Sequence, residues 1–137
     1  YKKHFLICER FGISMCSVPL LCNGPDIDMI EKLLTNDKGI RGIWCVPKYS
    51  NPTGTIYSQE SIEQLIKLCT RYENFYLFWD NTYCIHHLTD PGTEITNIIE
   101  TAKKYGVENR VFIFSSTSKI TFPGGGVAFV ASSKDNI

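Results

Sequence analysis

The chain has 137 residues, and 14 Lys plus Arg balance 14 Asp plus Glu, so its formal net charge is zero. That balance, with both signs interspersed, excludes the basic face of a nucleic-acid binder and any charged tail. No apolar run approaches the ~20 residues of a membrane helix, and no secretory signal pattern follows Tyr1. The length suits one ordinary domain with a real core. Six cysteines (Cys8, Cys16, Cys22, Cys45, Cys69, Cys84) form no C-x-x-C pair. Several lie in apolar runs, so they read as buried, reduced thiols of a cytoplasmic protein.

In chain order, "KHFLICERFG" predicts a helix closed by Gly12, and "ISMCSVPL" a short strand. "GPDIDMIEKLLTN" predicts a helix starting near Pro25 or Asp26, with Ile27, Ile30, Leu33 and Leu34 on one face. "RGIWCVP" is a continuous apolar strand of the kind buried on both faces of a parallel sheet. The turn formers of "KYSNPTGTIYS" follow, then the clearest helix, "SQESIEQLIKLCTRYE", capped by Ser58. "FYLFWD" is a second buried strand, with its aromatics in the core. "EITNIIETAKKYG" is a helix closed by Gly106, and "RVFIFSS" and "GVAFVAS" are two more strands. This alternation predicts an α/β fold: a three-layer αβα arrangement on a mostly parallel sheet, with a last antiparallel strand near 126–132. The start at Tyr1 lacks an initiator methionine and enters as if mid-helix. The end, "SSKDNI", looks like a first helical turn. The chain reads as a piece of a larger protein.

In open α/β sheets, ligands bind beyond the carboxyl ends of the strands. Three such ends carry "YSNPTG", then Asp80 with Tyr83, then Ser115, Ser116, Ser118 and Lys119. An amide, a carboxylate with a phenol, and an amine among hydroxyls would therefore face one crevice. A buried lysine without a paired acid has a depressed pKa and becomes a nucleophile toward aldehydes. A carboxylate at the end of a hydrophobic strand needs a positive partner, and a protonated pyridine nitrogen is one. Hydroxyls beside the lysine can hold a phosphate. These fittings match pyridoxal phosphate.

"YSNPTG", "DNTY" and "STSK…PGGG" resemble the three consecutive signatures of fold-type I pyridoxal-phosphate aminotransferases, across nearly the whole chain. "WDNTYCIHHL" and "STSKITFPGGGVAF" are most similar to a subgroup of aspartate aminotransferases related to the aminotransferase-like domains of MocR-type regulators. The resemblance implies pyridoxal 5'-phosphate as cofactor and catalytic roles for Lys119, Asp80 and Tyr83. Lys119 would be the Schiff-base lysine and would move the substrate's Cα proton. Asp80 would pair with the pyridinium nitrogen. Asn51 and Tyr83 would bond the ring's phenolate oxygen, and Ser116 and Ser118 the phosphate. Asn51–Pro52 would be a candidate cis bond. The resemblance further implies amino acid and 2-oxo acid substrates, a homodimer, and a chain lying in the centre of the large domain. The first phosphate loop and the small domain would fall outside it.

One departure stands out. The family's arginine after the lysine, which grips the phosphate, is replaced by Gly126, and the last glycine of that motif by Ala128. Either another residue supplies the cation, or backbone N–H groups of the triple glycine approach the phosphate. A cofactor-sensing domain of a MocR-type regulator is the alternative function, and an inactive remnant a third reading for the piece alone. "CIHHL" offers an incomplete ligand set for zinc, and His86 and His87 are expected beside the crevice or at a partner subunit. No G-x-S-x-G elbow supports a hydrolase.

Overall fold

Helix α1 (Lys2–Arg10) ends where Gly12 adopts a left-handed φ of 65°. The Ile13 N–H donates to the Cys8 carbonyl (2.8 Å) and the Gly12 N–H to that of Glu9 (3.1 Å), the doubled bond of a Schellman turn. The computed structural model describes residues 2–137; Tyr1, the start noted above, lies outside them.

The strand expected over 13–20 does not form. Residues 13–19 are irregular, and pairing is confined to β1 (Leu20–Leu21) against β2 (Gly24–Pro25). Pro19 and Pro25 have no N–H to give a ladder, which keeps this hairpin to two residues a side.

Helix α2 (Ile27–Asn36) is capped by Asp26, whose carboxylate accepts from the Met29 N–H (2.9 Å). Strand β3 (Gly42–Cys45) follows, then α3 (Gln59–Arg71) behind its cap Ser58, β4 (Tyr76–Asp80), α4 (Ile98–Lys104), β5 (Val111–Ser116) and β6 (Ala128–Ala131). The helix expected from Glu94 begins only at Ile98. Asn97 stops it from extending back, because its Oδ1 accepts from the N–H groups of Ile99 and Glu100 (3.0 and 3.3 Å).

The sheet runs β3-β4-β5-β6. The first three strands are parallel, with Trp44 beside Phe78 and Phe78 beside Phe112; β6 is antiparallel to β5, within the range expected. Helices α2, α3 and α4 cover one face. There Leu77 and Trp79 of β4 meet Ile62, Leu65 and Ile66 of α3 in a core that also takes in Ile30, Ile98 and Val111. Each fully buried side chain of this kind contributes roughly 1.5–3 kcal/mol relative to exposure.

The other face departs from the expected burial on both sides. Trp44, Phe78, Phe112 and Phe114 stack along it at 5.2–6.4 Å between ring centroids, and Trp44 stays 39% exposed. So in "FYLFW" only Phe75, Leu77 and Trp79 are core; Tyr76 and Phe78 line the outer face. Here α1 supplies the third layer, with the His4 ring 4.1 Å from that of Trp44.

All six cysteines are free, but only Cys45 and Cys69 are buried. Cys16 and Cys22 are exposed, Cys16 in the irregular stretch before β1 and Cys22 at the turn between β1 and β2.

Candidate functional site

Beyond β3 the chain folds back on itself. The Tyr57 N–H donates to the Pro47 carbonyl (2.8 Å), Ser50 pairs with Thr55, and the Gly54 N–H closes the turn on the Ser50 carbonyl (2.6 Å). This places Asn51 exposed at the turn, with a cis Asn51–Pro52 bond. Tyr49 takes a left-handed φ of 49°, rare for a bulky residue. Lys48, which nothing in the sequence marks as special, is 2% exposed.

β4 ends on Asp80, a carboxylate only 8% exposed that accepts from the Thr82 hydroxyl. The Asn81 N–H donates to the Phe114 carbonyl (2.7 Å), extending the β4–β5 ladder past Asp80. The Ser115 hydroxyl donates to the Asn81 carbonyl (3.2 Å), and the Asn81 Oδ1 is buried without a partner. Tyr83, half-buried, meets the His86 ring edge-on at 5.4 Å. His4, reaching over from α1, carries an imidazole whose pKa burial lowers. The Asp80 carboxylate opposes that shift.

β5 ends on Ser116, and a 3-10 turn over Thr117–Lys119 follows. Ser116 and Ser118 are half-buried and Lys119 is exposed. The Thr117 hydroxyl accepts from the Val127 N–H (2.9 Å), closing the loop back onto β6. A Cβ added at Gly126 would lie 2.7 Å from the Ser118 Oγ and 3.1 Å from the Ser118 N. No side chain fits at the position of the family's arginine unless Ser118 gives way. The departure seen in the sequence is thus built into the packing of the lysine loop.

The parallel register brings the loops of Asn51, of Asp80 with Tyr83, and of Ser116, Ser118 and Lys119 to one edge of three adjacent strands. Surface clefts at Lys38 and Tyr72, and at Lys103 and Asp135, lie away from this edge. Among residues that sequence reasoning missed, His4 is linked to Asp80 by charge. Lys48 ties two of the loops together through the Cys84 carbonyl, and His86, which the sequence singles out, meets the Lys119 carbonyl. His4 sits in a helix read as ordinary and Lys48 in a run of turn formers, so neither gave a local signal.

A family profile described as aspartate amino-transferase matches residues 1–137. A protein of Mycolicibacterium smegmatis named as an aminotransferase is 49% identical over the whole chain, and an aspartate aminotransferase of Corynebacterium glutamicum is 42% identical over 99% of it. The chain spans 32% and 31% of those relatives' lengths. The crystal structure of an aspartate transaminase from Corynebacterium glutamicum superposes with a TM-score of 0.89 at 41% identity, over 99% of this chain and 32% of that one. A transcriptional regulator of Bacillus subtilis is more distant, 28% identical over 85% of the chain. On the full-length family match and these relatives, the chain belongs to the aspartate amino-transferase family.

Proposed function

We propose that this chain is the central part of the cofactor-binding large domain of a pyridoxal-phosphate aminotransferase, which exchanges an amino group between an amino acid, with aspartate as first candidate, and a 2-oxo acid. The observation that carries this reading is the delivery of Asn51, Asp80 with Tyr83, and Lys119 by three neighbouring parallel strands to one edge. The donor set fits the cofactor. Asp80 is a buried acid suited to a protonated ring nitrogen, whose positive charge it would sustain as negative charge develops on the ring. Ser116, Ser118 and the tight Gly126 turn offer hydroxyls and backbone N–H groups to a phosphate. Asn51 and Tyr83 are the amide and phenol for a ring oxygen.

Bound there, pyridoxal phosphate supplies an aldehyde for an amine and a ring that withdraws electrons from the substrate's α-carbon. Lys119, exposed and in no ion pair among the described residues, would hold the aldehyde through its Nζ. The same Nζ, when free, would be the base that takes the Cα proton of the bound amino acid and the acid that gives it back. Tyr83 and Asn51 would orient the ring, and Asp80 would keep its nitrogen protonated.

The parent would be a cytoplasmic homodimer, with its first phosphate loop and small domain outside this segment. The more similar relatives are named aminotransferases, which disfavours the regulator reading. The test is a transamination assay on the full-length protein with aspartate and 2-oxoglutarate, followed by a panel of other donors. Lys119→Ala should abolish turnover with every donor; turnover that survives it overturns the assignment.

A further inference from the structure

Lys48 is buried to 2% exposure, yet it forms no ion pair among the described residues. Its Nζ donates to the Cys84 carbonyl (3.0 Å) and lies 5.4 Å from the centroid of the Tyr49 ring. A buried ammonium with so little compensation is costly, and an apolar residue of the same shape would pack at less cost. Its place explains what it does. Lys48 leaves the end of β3 three residues before Asn51, and Cys84 directly follows Tyr83. One hydrogen bond thus joins the loop of the amide to the loop of the phenol.

A second tie runs beside it. Tyr49, held in its left-handed conformation, accepts from the Leu88 N–H through its hydroxyl (3.2 Å). Residues 84–88 are therefore pinned at both ends by consecutive side chains of the β3 loop. Between the pins, His86 places its Nε2 3.0 Å from the Lys119 carbonyl. A carbonyl only accepts, so that nitrogen carries the hydrogen. The His86 Nδ1 is buried without a partner.

We propose that Lys48 is a positioning residue: its buried ammonium fixes the Cys84–Leu88 segment, and with it the stance of Tyr83 toward Asn51 and, through His86, the main chain of Lys119. This rests on the proposed cofactor site, since its purpose is to hold the groups that would grip the ring. Lys48 itself touches neither cofactor nor substrate.

The test uses the full-length protein, as wild type, Lys48→Met, Tyr49→Phe and Tyr83→Phe. Three quantities are read: amide hydrogen exchange of residues 84–88 without cofactor, the ratio of the two absorbance bands of bound pyridoxal phosphate at fixed pH, and Tm. Lys48→Met keeps the length and apolar stem but removes the donor. Exchange at 84–88 should rise ~10-fold, as expected when a local tie is opened. The band ratio should move toward that of Tyr83→Phe, while Tm holds or rises. The value of kcat should fall ~10-fold with KM within about 2-fold of wild type, the pattern of misplaced reacting groups. Tyr49→Phe, at a half-buried residue, removes the second tie and should shift exchange and band ratio the same way, by less; it serves if Lys48→Met fails to fold. Wild-type exchange and band ratio in both variants would overturn the proposal, as would a lowered Tm with an unchanged band ratio. If the wild type takes up no pyridoxal phosphate, the proposed function falls and the positioning role with it. If it does and the variants match it, only the role of Lys48 falls.

Discussion

Asp80 and Phe114 stand side by side in the parallel register of β4 and β5, and the bond from Asn81 N–H to the Phe114 carbonyl (2.7 Å) carries that register one residue beyond the acid. The position of Asp80 relative to the Lys119 turn, which starts three residues after Phe114, is therefore set by main-chain pairing. Asp80→Asn keeps the shape and removes the charge. In the full-length protein it should weaken pyridoxal-phosphate binding by roughly 10- to 100-fold, the loss of a charge-assisted bond worth about 1.5–3 kcal/mol. A fluorescence titration with cofactor checks this. Unchanged affinity would remove Asp80 from the site.

Gly126 gives a prediction that runs against the family pattern. Because a Cβ there would press on the Ser118 Oγ and N, Gly126→Arg should not restore a phosphate grip. Both Gly126→Ala and Gly126→Arg should displace Ser118, cost about 1–3 kcal/mol as overpacking does, and weaken cofactor retention. Urea denaturation reads the first effect and cofactor titration the second. Tighter binding in Gly126→Arg would show that the loop has room for the side chain after all.

The thiols divide by environment. Burial pushes both Cys45 and Cys69 up to about 12, from an ordinary value of 9.0. At pH 8, iodoacetamide should label the exposed Cys16 and Cys22 in the native protein and spare Cys45 and Cys69 until urea is added. The folded chain keeps these two protons at a pH where the unfolded chain loses them. Their contribution to stability is thus fully present below about 9 and is lost as pH rises toward about 12. Urea midpoints measured from pH 8 to 10.5 should fall with rising pH. Cys45→Ala and Cys69→Ala should flatten that fall.

The core prediction is the simplest. Leu65 is fully buried where α3 meets the sheet. Leu65→Ala should destabilise the fold by about 2–5 kcal/mol, transfer and cavity costs together, with the urea midpoint as the readout.

The sequence made elements legible where a local rule acts alone. The Ser58 and Asp26 caps and the glycine stops at Gly12 and Gly106 all appear as expected. So does the order of the three strand-end motifs. What stayed hidden depends on distant partners. "ISMCSVPL" has strand composition, but only its last residue, Leu20, finds a strand partner among the described residues, Pro25. Trp44 and Phe78 read as core, yet the layer over them here is α1, reaching Trp44 through His4. Lys48 lies in a run of turn formers, and only the fold shows that its amine points inward to Cys84. The tightness around Gly126 likewise needs Ser118 in place before it can be seen.

The central claim is that Lys119 is the amine that holds the cofactor. The most direct measurement is to add pyridoxal phosphate to the full-length protein, reduce with borohydride, and locate the adduct by peptide mass. The account predicts a phosphopyridoxyl group on Lys119, lost in Lys119→Ala. An unmodified Lys119, with the adduct absent or spread over other lysines, would contradict it.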